Sequence, residues 1–169
     1  MKVAIIGAGP AGNYSAYLLA QKGYSVDIFE KKSAVGPPVQ CTGILSDYFT
    51  AIMKPKNDFV ENTVTKTRIY APDGNFIETR IKKNYVICRK KFDTYLADMA
   101  LSEGARLHLN HSFHGFRKKA QTLQLNINNK NTNISRETDI LIGADGPLSA
   151  VAKSAGIYSN REFMIGAQI

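Results

Sequence analysis

Apolar positions fall in short bursts along the chain, and their spacing changes from segment to segment. Val3 to Ile6 is a continuous apolar run, the pattern of a parallel strand buried on both faces. Ala11 to Lys22 reads as a helix that Gly23 ends, and Ser25 to Phe29 as a second strand closed by Glu30. Lys31 to Gly43 has no period and contains Gly36-Pro37-Pro38; a loop of that length in a compact domain is usually functional. Asp47 to Met53 is expected to form a short helix. Thr67 to Tyr70 and Phe76 to Ile81 read as strands joined by a turn at Pro72-Asp73-Gly74. Tyr85 to Cys88 reads as a further strand, with Cys88 in the core. From Lys91 to Ser102, Phe92, Tyr95, Leu96, Met99 and Ala100 recur at helical spacing and mark a buried stripe. Ala105 to Leu109 predicts a strand, and 113–117, 123–128 and 132–135 a small antiparallel meander. A last parallel strand is expected over Asp139 to Ile142 and a last helix over Leu148 to Ala155.

The first strand runs into Gly7-Ala8-Gly9-Pro10-Ala11-Gly12, a G-x-G-x-x-G turn that opens a helix. Gly7 permits a sharp turn, Gly9 lets a pyrophosphate approach the backbone, and Gly12 lets the helix pack close to the strand. The helix N-terminus offers N–H groups and a positive dipole end to phosphates. Glu30, at the end of the next strand, suits a ribose diol and repels a 2′-phosphate. The fold class is therefore α/β: a Rossmann-like FAD/NAD(P)-binding fold with a parallel sheet, helices and an antiparallel β-meander. The glycine motif does not choose between NAD and FAD.

The chain has 169 residues, 44% hydrophobic and 21% charged, which suits one soluble globular domain. No apolar stretch reaches the roughly 18 residues that span a membrane. The N-terminal apolar run leads straight into the glycine turn rather than a signal-peptide layout, so a cytoplasmic location is expected. Two cysteines, Cys41 and Cys88, make no disulfide framework and read as free thiols. The formal net charge of +8 favours anionic partners such as phosphates or lipid head groups. The basic residues are scattered in pairs and triplets without interleaved aromatics, so nucleic acid is not expected as a partner. His108, His111 and His114 sit three apart; strand alternation would place His111 on the face opposite the other two, so no metal site is expected.

Three motifs follow one another in order. They are the strand–GxGxxG–helix–strand–Glu30 unit, then Arg89-Lys90-Lys91-Phe92-Asp93, then Gly143-Ala144-Asp145-Gly146. This order resembles the FAD-dependent oxidoreductases of the p-hydroxybenzoate hydroxylase type. Within them the chain is most similar to the geranylgeranyl reductase family, through Pro38-Val39-Gln40-Cys41-Thr42-Gly43 and Arg68-Ile69-Tyr70-Ala71-Pro72-Asp73-Gly74. The resemblance runs over nearly the whole chain. It implies a FAD-dependent enzyme that reduces C=C bonds of isoprenoid (geranylgeranyl) lipid. It also implies that residues 1–169 are the FAD-binding domain, and N-terminal portion, of a longer flavoprotein, with 46–84 starting a substrate-domain insertion.

By the same resemblance, Gly7, Gly9, Ala11 and Gly12 hold the FAD pyrophosphate. Glu30 holds the adenosine ribose with Lys31 beside it, and the Phe113 backbone meets the adenine. Cys41, Thr42 and Gly43 lie near the flavin. Arg89 lies along the ribityl–pyrophosphate stretch, and Asp145 and Gly146 meet the ribityl and phosphate region. Bland readings stand beside these: Arg89 as a surface arginine in a basic cluster, and Asp145 as a helix cap. Cys41 is the candidate catalytic residue, as a proton donor, although packing beside the flavin is favoured. The electron donor is open between NAD(P)H and ferredoxin, and a peripheral position at the inner membrane face suits a lipid substrate. A flavin-dependent monooxygenase and a non-catalytic prenyl-binding escort-type protein are the alternative readings.

Overall fold

A computed structural model of the chain describes residues 1–39, 41–130, 132–164 and 166. In chain order the strands and helices are β1 (Lys2–Ile6), α1 (Pro10–Gln21), β2 (Ser25–Glu30), β3 (Ile44–Leu45), β4 (Val60–Tyr70), β5 (Phe76–Ile87) and α2 (Arg89–Ser102). They continue with β6 (Arg106–Leu109), β7 (His111–Lys118), β8 (Leu123–Asn129), β9 (Thr132–Thr138), β10 (Ile140–Gly143) and α3 (Ala150–Ser154). Two compact units form, one from Met1–Pro37 with Asp93–Ile169, the other from Pro38–Phe92.

The first unit holds a parallel sheet in the order β10-β1-β2-β6. Val3 and Ile5 on one face of β1 pack with Val26, Ile28, Ala16, Ala20 and Ala100, so small residues let the helices lie close to the strands. Ala4, Ile6 and Phe29 on the other face pack with Phe113, Leu125, Ile127 and Val151, which seats the antiparallel β7-β8-β9 sheet and α3 there. This double burial explains the unbroken apolar run in β1. The expected α/β architecture, with parallel sheet, helices and meander, is the one observed. On α2, Phe92, Leu96 and Ala100 are buried as the stripe requires.

The second unit is a three-stranded sheet in the order β3-β5-β4. Residues 76–81 and 85–88 are not two strands: β5 runs unbroken from Phe76 to Ile87. β4 begins at Val60, well before Thr67. Its first half, Val60 to Lys66, lacks an alternating apolar pattern because the ribbon is exposed on both faces and held by backbone pairing. The expected helix at 47–53 is a 3-10 turn over Asp47–Ala51. Cys88 lies past the end of β5 and is half-buried rather than core; its N–H donates to the Phe59 carbonyl at 2.9 Å.

The histidines correct the alternation argument. Asn110 adopts φ +60 between β6 and β7, so the chain kinks between the two strands and side-chain alternation does not carry across them. His108 stacks on Phe29 with centroids 4.8 Å apart, and His111 meets His108 edge-on at 5.5 Å. The kink therefore brings His108 and His111 together. His108 Nε2 lies 2.6 Å from Asp27 Oδ1, and Arg106 grips the same carboxylate at 2.9 and 2.7 Å. Burial works to raise the Asp27 carboxyl, but Arg106 and His108 outweigh it and hold it below the ordinary carboxylate range.

Candidate functional site

In the first unit, β1, β2 and β10 are neighbours and parallel, so their carboxyl ends lie side by side. In an open α/β sheet that edge is where ligands bind. The glycine turn follows β1 there, Glu30 ends β2, and Gly143 ends β10. Gly7, at φ +104, approaches the Ala144 backbone so closely that a Cβ on it would stand 2.4 Å from the Ala144 carbonyl oxygen. A Cβ on Gly12 would stand 1.9 Å from the Gly7 oxygen and 3.3 Å from the Ala144 Cβ. The two glycine motifs, far apart in sequence, are thus docked on each other through atoms that only glycine leaves room for. Gly143 belongs to the same contact set: its Cβ would meet the Val151 Cβ at 2.9 Å. The spacing argument did not single out Gly143 as a packing residue, because the partner is a helix that follows it by only a few residues.

Gly9 is different. Nothing lies within 4 Å of where its Cβ would be. It is the N-cap of α1, no side chain caps the helix, and Pro10 takes the first turn without an N–H of its own. The first intrahelical bond runs from Asn13 N to the Gly9 carbonyl at 3.0 Å. The N–H groups of Ala11 and Gly12 lie in the first turn, which lacks intrahelical acceptors and carries the positive end of the dipole, and the open space is at Gly9. Such a helix start suits a pyrophosphate.

Glu30 is buried, and its carboxylate is held by backbone N–H groups: Oε2 accepts from Ala8 at 2.8 Å and Oε1 from Lys32 at 2.9 Å. It ties the end of β2 to the glycine turn, and each oxygen keeps a lone pair for a sugar diol. Lys31 beside it is exposed. The Phe113 side chain is in the core, leaving its backbone as the part available to a ligand. Asp145 points its oxygens at the start of α3: Oδ1 accepts from Ser149 Oγ at 2.6 Å and Oδ2 from Val151 N at 3.1 Å. The N-cap itself is Ser149, which accepts from Ala152 N. Helix capping is therefore one job of Asp145. Gly146 is open, with φ +82.

In the second unit, Gly43 (φ +71) is buried against β5, where a Cβ would stand 2.6 Å from the Ile87 oxygen and 3.7 Å from Arg89 Cγ. Its carbonyl accepts from Ile87 N at 2.7 Å. This seating brings the Cys41-Thr42-Gly43 loop beside Arg89. Cys41 and Thr42 are exposed, and Gln40 lies outside the described residues. The Gly43 N–H, 3.5 Å from the Cys41 sulfur, and then the Arg89 guanidinium hold the Cys41 thiol below its ordinary value. Among the described residues no cluster of three metal-ligating side chains forms.

These features fit a dinucleotide whose phosphates meet α1 and whose ribose meets Glu30. The sequence pattern of the FAD binding domain family covers residues 1–166. The chain belongs to that family. The cofactor of this FAD-binding domain is accordingly FAD rather than NAD, the choice the glycine motif left open. The domain is similar to the digeranylgeranylglycerophospholipid reductase of Methanothrix thermoacetophila, 34% identical over 92% of this chain and 41% of that protein. The reductase of the same name from Methanococcus vannielii is 28% identical over 94% of this chain and 41% of that protein. Among solved structures, a geranylgeranyl bacteriochlorophyll reductase-like protein from Thermoplasma acidophilum superimposes with a TM-score of 0.81. It is 29% identical over 92% of this chain and 41% of that one. The FAD-binding domain thus spans about 41% of the length of the curated relatives it matches.

Proposed function

We propose that the protein is a FAD-dependent oxidoreductase that reduces geranylgeranyl C=C bonds of membrane lipid or its precursor. The observation that carries this reading is the Cys41-Thr42-Gly43 loop, seated by Gly43 on β5 beside Arg89. It is the segment that separates a likeness to geranylgeranyl reductases from a wider flavoprotein likeness. The similarity to digeranylgeranylglycerophospholipid reductases over 92–94% of the chain supports it. Reduced FAD, when bound, supplies the hydride for the alkene. The N–H groups of Ala11 and Gly12, with Gly7 and Gly9 shaping the turn, hold the pyrophosphate. Glu30 and Lys31 meet the adenosine ribose, and the Phe113 backbone meets the adenine. Asp145 and Gly146 meet the ribityl and phosphate region.

Arg89 neutralises a phosphate oxygen and lowers the Cys41 thiol. A thiol held low is a poorer proton store at neutral pH, so Cys41 serves the flavin by position before it serves as an acid. Residues 46–84 begin the part that receives the isoprenoid. The electrons come from NAD(P)H or a ferredoxin. The +8 charge supports work at an anionic membrane surface on the cytoplasmic side.

The test is incubation of the full gene product with FAD, dithionite and a digeranylgeranylglycerol phospholipid, followed by mass spectrometry of the lipid. Gain of hydrogen pairs is the expected result. Gain of oxygen in air would move the protein to the monooxygenases. An unchanged lipid and a protein that retains no flavin would favour a prenyl-binding escort.

A further inference from the structure

Asn13 is fully buried on α1, directly after the last glycine of the turn. Its Nδ2 donates to the Ala8 carbonyl at 2.8 Å and reaches the Asp93 carbonyl on α2 at 3.4 Å. The orientation of the amide is fixed by those two acceptors, because a flipped amide would set oxygen against two carbonyl oxygens. Its Oδ1 is then left without a hydrogen-bond partner among the described residues. A buried acceptor with no donor weakens a fold, and an apolar side chain of the same shape would avoid that cost. Fold stability alone therefore does not account for an asparagine here.

The Ala8 carbonyl explains it. Across a planar trans peptide, the carbonyl of Ala8 and the N–H of Gly9 point in opposite directions. The Ala8 carbonyl is drawn inward to Asn13, so the Gly9 N–H is turned outward. On the other side of the same residue, the Ala8 N–H is held by Glu30. Ala8 is clamped at both its polar groups, and the peptide that follows it cannot rotate. A carbonyl that accepts a bond also polarises its peptide, which strengthens the N–H at the other end. The space beside Gly9 is open to at least 4 Å.

We propose that Asn13 is a positioning residue of the cofactor site: it aims the Gly9 N–H at the FAD pyrophosphate. The inference rests on FAD occupying the α1 cradle. The test uses the full gene product as wild type and as Asn13→Leu, which keeps the branched shape and heavy-atom count and removes the amide. Three quantities are read: the melting temperature of the flavin-free protein, Kd for FAD by fluorescence quenching, and the ³¹P shift of bound FAD. Asn13→Leu is expected to melt within a few degrees of wild type. Its Kd is expected to rise about tenfold, the loss of one charge-assisted hydrogen bond, with a displaced ³¹P signal. A Kd within twofold of wild type with an unmoved ³¹P signal would overturn the role. Should Asn13→Leu not fold, Asn13→Ala, which leaves room for water, gives the same readings; failure of both to fold would assign Asn13 to the fold instead. A wild-type protein that binds no FAD would instead overturn the reading of the cradle itself.

Discussion

The contrast between Gly9 and Gly12 gives a sharp test of how the glycine turn works. Gly12→Ala would put a methyl 1.9 Å from the Gly7 oxygen and 3.3 Å from the Ala144 Cβ. Ordinary contacts begin near 3.5 Å, so helix and turn must separate by roughly 1.5 Å. Overpacking of this kind costs about 1–3 kcal/mol, offset by up to about 1 kcal/mol from the better helix propensity of alanine. A net loss near 1–2 kcal/mol lowers the melting temperature by roughly 3–8 °C in a chain of this size. Gly9→Ala meets nothing within 4 Å and sits at an extended φ of −78. Its folding cost is that of a lost N-cap preference, below about 1 kcal/mol. Its methyl would stand in the open space where we propose that the FAD pyrophosphate lies. Loss of one charge-assisted hydrogen bond there, about 1.5–3 kcal/mol, raises Kd for FAD roughly 10- to 150-fold. Differential scanning fluorimetry of the flavin-free proteins and quenching titrations with FAD separate the two effects. The reasoning fails if Gly9→Ala binds FAD within threefold of wild type, or if Gly12→Ala melts with it.

Two further outcomes follow from the charged groups. Cys41 should be alkylated by iodoacetamide with a pH midpoint below the value near 8.5 of a free thiol. Arg89→Ala should raise that midpoint only part of the way, because the Gly43 N–H acts first; peptide mapping by mass spectrometry reads it, and a midpoint at the free-thiol value refutes the arrangement. Asp27 is lowered in the folded state, so its stabilisation is full above its unfolded value of about 4 and is lost as pH falls through the folded one. Asp27→Asn should cost about 1 kcal/mol at neutral pH, a modest figure because water screens the partly exposed pair, and should flatten the acid limb of urea unfolding. An acid limb as steep as that of wild type would count against the Arg106–Asp27–His108 cluster.

Much of the scaffold was legible because local signals and global packing agree. The β1 run is apolar because both of its faces are covered, and Gly7, Gly9 and Gly12 announce a turn that feeds a helix. The exposed β4–β5 ribbon was half-read, since backbone pairing leaves no apolar period along Glu61 to Lys66. The histidine faces differ from the alternation argument because it was carried across the junction of two strands, where the left-handed residue Asn110 turns the chain. Asn13 gave no signal at all: an asparagine inside a helix looks like a surface residue until the carbonyls of Ala8 and Asp93 are placed around it.

By itself the sequence determined the order of strands and helices in the parallel-sheet unit, the glycine turn that opens α1, the acid at the end of β2 and the likeness to geranylgeranyl reductases. These are properties of neighbours along the chain, where period, glycine placement and cap chemistry act over a few residues. Tertiary structure decided which distant atoms meet. It docked the Ala144 backbone onto Gly7 and Gly12, and clamped Ala8 between Glu30 and Asn13. It also gave the carboxylate of Asp145 to α3 and set the Cys41 thiol beside Arg89. Each of those contacts depends on close approach across many residues of chain, which excluded volume and hydrogen-bond satisfaction select only once the core has formed.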